Sequence, residues 1–131
     1  MPAKYFFKFG FKVATKRGEE AILWKKFNQT AKTPRFRVES YKYLPVKGKV
    51  IIDLFWNTFC QPSDVEAQRV REIVKEFGDD VILNEYSADN IKIIQKYGIS
   101  RRIYINGKII EVCSEIDKKR LRQEIKKAQI N

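Results

Sequence analysis

A run of seven residues restricts the fold more than any other feature of this chain. Residues 50–56 read Val-Ile-Ile-Asp-Leu-Phe-Trp, and Asp53 is the single charged residue among them. A strand with one solvated face alternates apolar and polar side chains, whereas a strand buried on both faces is almost continuously apolar. The run therefore predicts a central strand with a packed layer on each side, as in an α/β domain.

The residues after this run predict alternating helices and strands. A loop at 57–63 leads into a helix ending near Phe77, and a strand follows at residues 81–86. Ser87-Ala88-Asp89 is expected to cap a second helix, which Gly98 ends. We expect the helices to bury three sets of residues: Val65, Val70, Ile73, Val74 and Phe77; Ile91, Ile94 and Tyr97; and Leu121, Ile125 and Ala128.

Asn106-Gly107 stands between two apolar stretches and predicts a hairpin from residue 103 to residue 112. The last helix is expected to begin near Ser114 and Asp117. The order from Val50 is then β-α-β-α-β-β-α. The first crossovers are expected to join parallel strands in a right-handed sense, and the hairpin to add an antiparallel edge.

The positive charge lies in the first part of the chain. The net charge is +11, and residues 1–49 hold 13 Lys or Arg against three glutamates, whereas residues 50–131 hold 14 against 13 Asp or Glu. This asymmetry predicts two units with a basic linker at 28–49 between them. In the first unit, residues 1–27, a helix end near Gly10 and strands at 11–15 and 21–27 predict a β-hairpin appendage.

The composition excludes several kinds of chemistry. The chain has no histidine, which removes Ser-His-Asp and Cys-His catalysis and the usual catalytic zinc ligands. Its two cysteines, Cys60 and Cys113, are too few for a disulfide framework or a zinc site. We predict neither a metal nor a cofactor. No apolar run approaches the roughly 18 residues that span a membrane, and the N-terminus does not look like a signal peptide, so a cytoplasmic protein is expected.

Residues 55–63 read Phe-Trp-Asn-Thr-Phe-Cys-Gln-Pro-Ser, and this stretch resembles the thioredoxin motif F-W-x-x-W-C-x-P-C. Tyr97-Gly98-Ile99 and the later Asn106-Gly107 also match that family. The resemblance covers about 80 residues. It implies a thioredoxin-like β-α-β-α-β-β-α three-layer sandwich over residues 50–131, with the N-terminal β-hairpin as an appendage.

The resemblance also implies the site. Cys60 would be the attacking thiol at a helix N-terminus, where unpaired N–H groups and partial positive charge favour a thiolate. Pro62 would set the first turn, and Ser63 stands where the family has its resolving cysteine. Dithiol oxidoreductase activity is therefore disfavoured, and Cys60 either retains a monothiol role or is only a small packed residue.

Four residues are expected on the substrate side: Trp56, Phe59, Ser100 and Arg101. Ser100 or Arg101 takes the place of the family's cis-proline, and an arginine there could bind an anion. The family's buried acid also lacks a counterpart, because Leu54 holds its position and Asp53 is expected to face the opposite side of the strand.

Residues 4–27 resemble a different family. The stretch Tyr5-Phe6-Phe7-Lys8-Phe9-Gly10-Phe11, followed by two strands, is similar to the tail of a GNAT-superfamily acetyltransferase. The Gly-rich acetyl-CoA loop is absent, so the chain is not expected to be an acetyltransferase on its own.

Three functions stay open at this stage. The first is a single-cysteine thioredoxin-fold module associated with an acetyltransferase-like protein. The second is a non-catalytic module that binds an acidic partner through its basic half, with nucleic acid as the less favoured ligand. The third is the C-terminal fragment of an acetyltransferase. A homodimer through the N-terminal hairpin is a further expectation.

Overall fold

The computed structural model describes residues 2–112 and 116–130, which contain four α-helices and six strands. A 3₁₀ turn, Gly78–Asp80, precedes the fourth strand. In chain order the elements are α1 (Ala3–Phe7), β1 (Lys12–Arg17), β2 (Glu20–Trp24), β3 (Val50–Trp56), α2 (Gln61–Lys75), β4 (Val81–Ser87), α3 (Ile91–Tyr97), β5 (Arg102–Ile105), β6 (Lys108–Ile109) and α4 (Lys118–Ile130).

Strand β3 lies inside the larger sheet, as its apolar sequence predicts. The strand order is β4-β3-β5-β6, and every residue of β3 from Val50 to Phe55 is buried. Strand β4 pairs with it in parallel, and β5 pairs with its other edge antiparallel. The hairpin prediction is confirmed, since β5 and β6 are antiparallel on either side of Asn106 and Gly107, both at positive φ.

Both faces of this sheet are covered, and alternate side chains of β3 enter two separate cores. Val50, Ile52 and Leu54 pack with residues of α2 and α4, whereas Phe55 packs with Tyr97 of α3 on the other face. The result is a three-layer α/β sandwich with the predicted order β-α-β-α-β-β-α. The predicted fold class, including the separate N-terminal hairpin β1-β2, is thereby confirmed.

One part of the topology differs from expectation. The first crossover joins parallel strands, but β5 is antiparallel to β3, so the second crossover does not. Helix length explains the difference. The seven residues of α3 span about 10 Å, whereas the seven residues of β4 span about 23 Å, so α3 is too short to return the chain to the start of the sheet.

The predicted helix faces need two corrections. In α2 the buried face runs through Ser63, Glu66, Ala67, Val70 and Ile73, and Val65 lies off this face and outside the core. An apolar pattern does not reveal this face, because its first two residues, Ser63 and Glu66, are polar.

In α3, Ile91 is 57% exposed, and Ile93 rather than Ile94 packs on the core beside Tyr97. The cap of α3 is Asn90, whose side chain accepts a hydrogen bond from the Lys92 N–H, and not the predicted Ser87-Ala88-Asp89.

The last helix agrees with its predicted face. Leu121 and Ile125 are fully buried and Ala128 packs against them. Asp117 accepts a hydrogen bond from the Arg120 N–H at 2.8 Å, as a capping residue does. The predicted start at Ser114, like Cys113, lies outside the described residues. Within residues 2–112 and 116–130, no helix has the length and apolarity that crossing a membrane requires.

The chain divides into an N-terminal unit that ends at Val38 and a C-terminal unit that begins at Glu39. This boundary falls inside the segment predicted as a linker, so residues 39–49 belong to the C-terminal unit. Tyr41 stacks on Tyr104 with ring centroids 3.8 Å apart, and the Ser40 N–H donates to the Tyr97 carbonyl at 2.9 Å. Residues 39–43 therefore form part of the layer over the α3 face of the sheet.

Gly107 provides a test of this packing. Its φ is +78°, and a Cβ there would lie 2.8 Å from Cγ of Tyr43. We expect Gly107→Ala to destabilise the chain more than Gly48→Ala, whose φ of +74° carries similar strain, about 1–2 kcal/mol, but where a Cβ meets nothing within 4 Å. Urea unfolding followed by circular dichroism measures both. Equal losses would show that Tyr43 does not pack on the turn.

Candidate functional site

The cysteine predicted as the attacking thiol lies where β3 passes into α2. Cys60 is the N-cap residue of this 15-residue helix, with extended φ and ψ of −121° and 106°. Its side chain makes no capping hydrogen bond, and the residue is partly exposed. Pro62 stands in the first helical turn, where a missing N–H costs nothing. The thiol is thus next to the positive end of a helix and within reach of solvent.

Ser63, three residues after Cys60, has a hydroxyl with a structural partner. The residue is fully buried, and its Oγ accepts a hydrogen bond from the backbone N–H of Asn57 at 3.0 Å. A buried N–H without a partner costs about 1–3 kcal/mol, so this hydroxyl stabilises the turn between strand and helix.

Asn57, which the sequence analysis did not single out, connects the parts of the site. Its side chain is 1% exposed, its Oδ1 accepts the Cys60 N–H at 2.9 Å, and its Nδ2 donates to the Ser100 carbonyl at 2.9 Å. One buried amide therefore links the cysteine loop to the loop before β5. Asparagine commonly bonds nearby backbone in turns, and its place directly after a buried strand was the available signal.

Asp89, which the sequence analysis named only as part of a helix cap, holds the same loop from the other side. Asp89 accepts a hydrogen bond from the Thr58 N–H at 3.0 Å, and the Ala88 N–H donates to the Trp56 carbonyl at 2.7 Å. The segment between β4 and α3 is thus attached to the end of β3. The site lies at the carboxyl end of the parallel strands, the edge at which open α/β sheets bind ligands.

The two predicted aromatic residues differ in their surroundings. Trp56 is partly buried, and the Arg71 guanidinium lies 4.5 Å from the centre of its ring. Its indole N–H is buried with no hydrogen-bond partner among the described residues. Phe59, next to the cysteine, is 73% exposed. Trp56 is therefore enclosed at the end of β3, whereas the Phe59 ring is open to solvent.

Arg101 has an internal partner. Its Nε lies 3.1 Å from Oε2 of Glu66, whose side chain is 3% exposed, and Glu66 also accepts the Ile116 N–H at 3.2 Å. The pair joins the loop before β5 to α2 and to the segment before α4. The arginine predicted as an anion site beside Cys60 thus neutralises a buried carboxylate, and Ser100 contributes its backbone carbonyl to Asn57.

On the opposite face of β3, Asp53 is 4% exposed and is surrounded by donors. It accepts hydrogen bonds from the Tyr41 hydroxyl at 2.6 Å, from Nδ2 of Asn84 at 2.9 Å and from the Tyr86 hydroxyl at 3.5 Å. Leu54 faces the α2 side, so the expectation that Asp53 points away from the site is confirmed. Burial, and then the hydrogen bond to Asp53, raise the pKa of Tyr41 far above its ordinary value.

The described residues contain no group of three or more His, Cys, Asp or Glu arranged to hold a metal ion. The chemistry that the site offers is that of one partly exposed thiol, an exposed phenyl ring and a helix end.

No family model and no curated protein sequence matches the chain. Among solved structures it is similar to a thioredoxin-2 described as a component of the malaria parasite protein secretion machinery. The two share 18% identity with a TM-score of 0.47, over 70% of this chain and 99% of that chain. The class of the C-terminal unit is given by its own architecture, a thioredoxin-like α/β fold with helices on both faces of the sheet β4-β3-β5-β6.

We expect Asn57→Ala to loosen the cysteine loop. The change removes two side-chain hydrogen bonds, each contributing about 1 kcal/mol, and leaves the Cys60 N–H without its partner. Amide exchange of Cys60, measured by NMR, should become faster, and the free energy of unfolding should fall by about 2 kcal/mol. Thr58→Ala is the matched control, because only the backbone of this exposed neighbour is bonded. Unchanged Cys60 exchange in Asn57→Ala would contradict the role of the amide.

Because the pKa of Tyr41 is raised in the folded chain, we expect the free energy of unfolding to depend on pH in the alkaline range. Burial and Asp53 raise its pKa in the folded chain, so above pH 10 the unfolded chain releases a proton that the folded chain retains. Stability should be fully present below pH 10 and fall as the pH rises above it. Tyr86 and Tyr104, whose pKa values burial also raises, contribute in the same direction.

Tyr41→Phe should flatten this alkaline decline in urea unfolding. Tyr43→Phe removes a neighbouring hydroxyl that makes only a 3.4 Å hydrogen bond, and it serves as the control. An equally steep decline in Tyr41→Phe and in the unmodified chain would disprove the account.

Proposed function

We propose that the C-terminal unit is a thioredoxin-fold module with one reactive thiol, Cys60, which forms mixed disulfides that it cannot resolve within its own loop. One observation carries the proposal. Ser63, which stands in the resolving position of the motif, is buried and accepts a hydrogen bond from the Asn57 N–H. Cys60 itself is partly exposed at the start of α2.

The reaction is a single thiol–disulfide exchange. The Cys60 thiolate attacks one sulfur of a disulfide RSSR, a bond forms between Cys60 and that sulfur, the S–S bond breaks, and RS⁻ leaves with the electron pair. In a dithiol enzyme a second cysteine then releases the bound group. The serine hydroxyl at residue 63 cannot take that step, so the adduct persists until a second thiol from solution attacks it.

The loop before β5 supports a small disulfide as the reactant. In the thioredoxin resemblance this segment offers main-chain groups to an extended protein substrate. Here the Ser100 carbonyl already accepts the Asn57 amide, and Arg101 is paired with Glu66. A low-molecular-weight disulfide needs only the partly exposed Cys60 and the exposed ring of Phe59 beside it.

Glutathione disulfide is a direct probe of this proposal. We expect a single glutathione adduct on Cys60, detected by intact mass and peptide mapping in a Cys113→Ser background, and none in Cys60→Ser. The adduct should persist after excess reagent is removed and disappear on addition of a free thiol. Modification of native Cys60 no faster than that of the same residue in the urea-unfolded chain would refute a specialised thiol role.

Ser63→Cys tests the missing second step. In that variant the adduct should be transient and give way to an internal disulfide, two mass units lighter than the reduced chain. The substitution should also cost about 1–3 kcal/mol of stability, because sulfur is a weak acceptor for the buried Asn57 N–H. A stable adduct in both proteins would mean that Ser63 does not explain the lack of resolution.

We propose further, from residues 4–27, that the module is associated with an acetyltransferase-like protein. Helix α1, the turn at Gly10 and the antiparallel strands β1 and β2 follow one another in the order that the resemblance implies. A coding sequence with a Gly-rich acetyl-CoA loop adjacent to that of this chain is the expected finding. Adjacent sequences without such a loop would count against the association.

A further inference from the structure

The N-terminal unit lacks a core of its own. Not one of residues 2–38 is buried, although the stretch includes α1 and the two-stranded sheet β1-β2. An isolated hairpin is marginal in water unless other elements cover it. This unit therefore presents a surface that a partner is expected to cover.

Aromatic rings make up much of that surface. Phe27 is 83% exposed, Tyr5 and Phe9 are each 53% exposed, and Phe7 is 45% exposed. Such exposure of large rings in one small unit is typical of a binding surface rather than of ordinary scatter.

Close contacts connect these rings into one patch that includes Lys25. The rings of Tyr5 and Phe9 lie 5.4 Å apart. The side chain of Lys25 passes over Gly10, with its Cε 3.4 Å from where a Cβ would stand, and its ammonium lies 5.6 Å from the Phe27 ring. We call Tyr5, Phe9, Lys25 and Phe27 the aromatic–lysine patch.

Beside this patch an open groove of about 430 Å³ runs between α1 and β2. Phe6 and Phe11, whose rings meet edge to face at 5.8 Å, form part of its wall. The groove is a concave surface of mixed polarity, with Glu19 in its wall.

Charge identifies the kind of partner. Residues 1–38 hold ten Lys or Arg, and their only acidic residues are Glu19 and Glu20. Two copies that met through this unit would bring two strongly positive surfaces together, so repulsion opposes the homodimer. A polyanion is attracted by the same charges, because binding releases its condensed counterions.

We propose that the aromatic–lysine patch binds single-stranded nucleic acid. A single strand has a partner for each part of the patch, since its phosphates pair with Lys25 and the surrounding positive charge and its unpaired bases stack on the exposed rings. An acidic polypeptide pairs with the positive charge but leaves the rings uncovered, and a duplex keeps its bases stacked inside. This activity is independent of the thiol chemistry of Cys60.

Fluorescence anisotropy with a labelled oligo(dT) of about 15 nucleotides, titrated with the full chain, tests the proposal. We expect binding that weakens with salt, with a slope of log K against log salt of about −0.7 for each phosphate contact. Phe27→Leu should weaken binding roughly tenfold by removing one stacking ring. Lys25→Gln should reduce the magnitude of the salt slope by about 0.7.

Val38→Ala is the matched control, because Val38 is 86% exposed in the same unit but carries no ring, and its affinity should not change. Cys60→Ser should also bind normally, which separates this result from a failure of the thiol proposal. Circular dichroism of each variant checks that it remains folded.

Three results would overturn the proposal. The first is no association with oligo(dT) at low salt. The second is equal affinity for polyglutamate or for a duplex of the same length, which would show attraction by charge alone. The third is an affinity for anionic lipid vesicles equal to that for oligo(dT), together with unchanged oligo(dT) affinity in Phe27→Leu. That result would assign the rings to a membrane surface.

An acetyltransferase-like domain seated on the N-terminal unit would cover the same rings. Absence of oligo(dT) binding by the chain without that domain would contradict the nucleic-acid proposal directly.

Discussion

Burial of β3 on both faces is the constraint on which the rest of the C-terminal unit depends. A strand whose side chains are excluded from water from Val50 to Phe55 needs a complete layer on each side. Helices α2 and α4 provide one layer, and α3 with residues 39–43 provides the other. The strand also ends inside the protein, so the backbone groups that follow it must find partners without water.

Asn57 and Asp53 show how the chain meets that requirement at two places. At the end of the strand, Asn57 satisfies the Cys60 N–H and the Ser100 carbonyl with one side chain. Within the strand, Asp53 places a carboxylate in an aromatic layer, and Tyr41 and Asn84 reach it with short hydrogen bonds. An unpaired buried charge would cost several kcal/mol, so the segment that carries Tyr41 is fixed to this face.

The sequence predicts the parts of this structure that depend on local pattern. The apolar run of β3, the Asn106-Gly107 turn and the Leu121–Ile125 face each follow from spacing and turn chemistry. Contacts between distant residues are not encoded in that way. Glu66 lies on the buried face of α2 because Arg101, 35 positions away, neutralises it, and no helical period reveals such a pair. Asp89 is interpreted as a helix cap because the sequence does not show its actual partner. That partner is the Thr58 N–H, 31 positions away.

The difference between local patterns and contacts of distant residues also limits what the sequence predicts about the site. The positions of Cys60 and Pro62 at the start of α2 follow from the motif, whereas the surroundings of Ser63 do not. A serine in place of a cysteine reads as a loss when only the thiol chemistry is considered. In the structure the serine oxygen stabilises the loop, because it accepts a hydrogen bond from the buried Asn57 N–H. Sulfur would be a weaker acceptor at this position.

Ser63 and the proline-free segment before β5 therefore belong to one bonded arrangement around Asn57. With Ser63 and Ser100 both bonded to Asn57, the loop before β5 and the turn into α2 are held together by oxygen and nitrogen partners rather than kept open for a substrate strand. The loop still leaves the Cys60 thiol partly exposed. An internally bonded loop beside one partly exposed cysteine is the combination that supports the proposed monothiol role, in which another molecule removes the bound group.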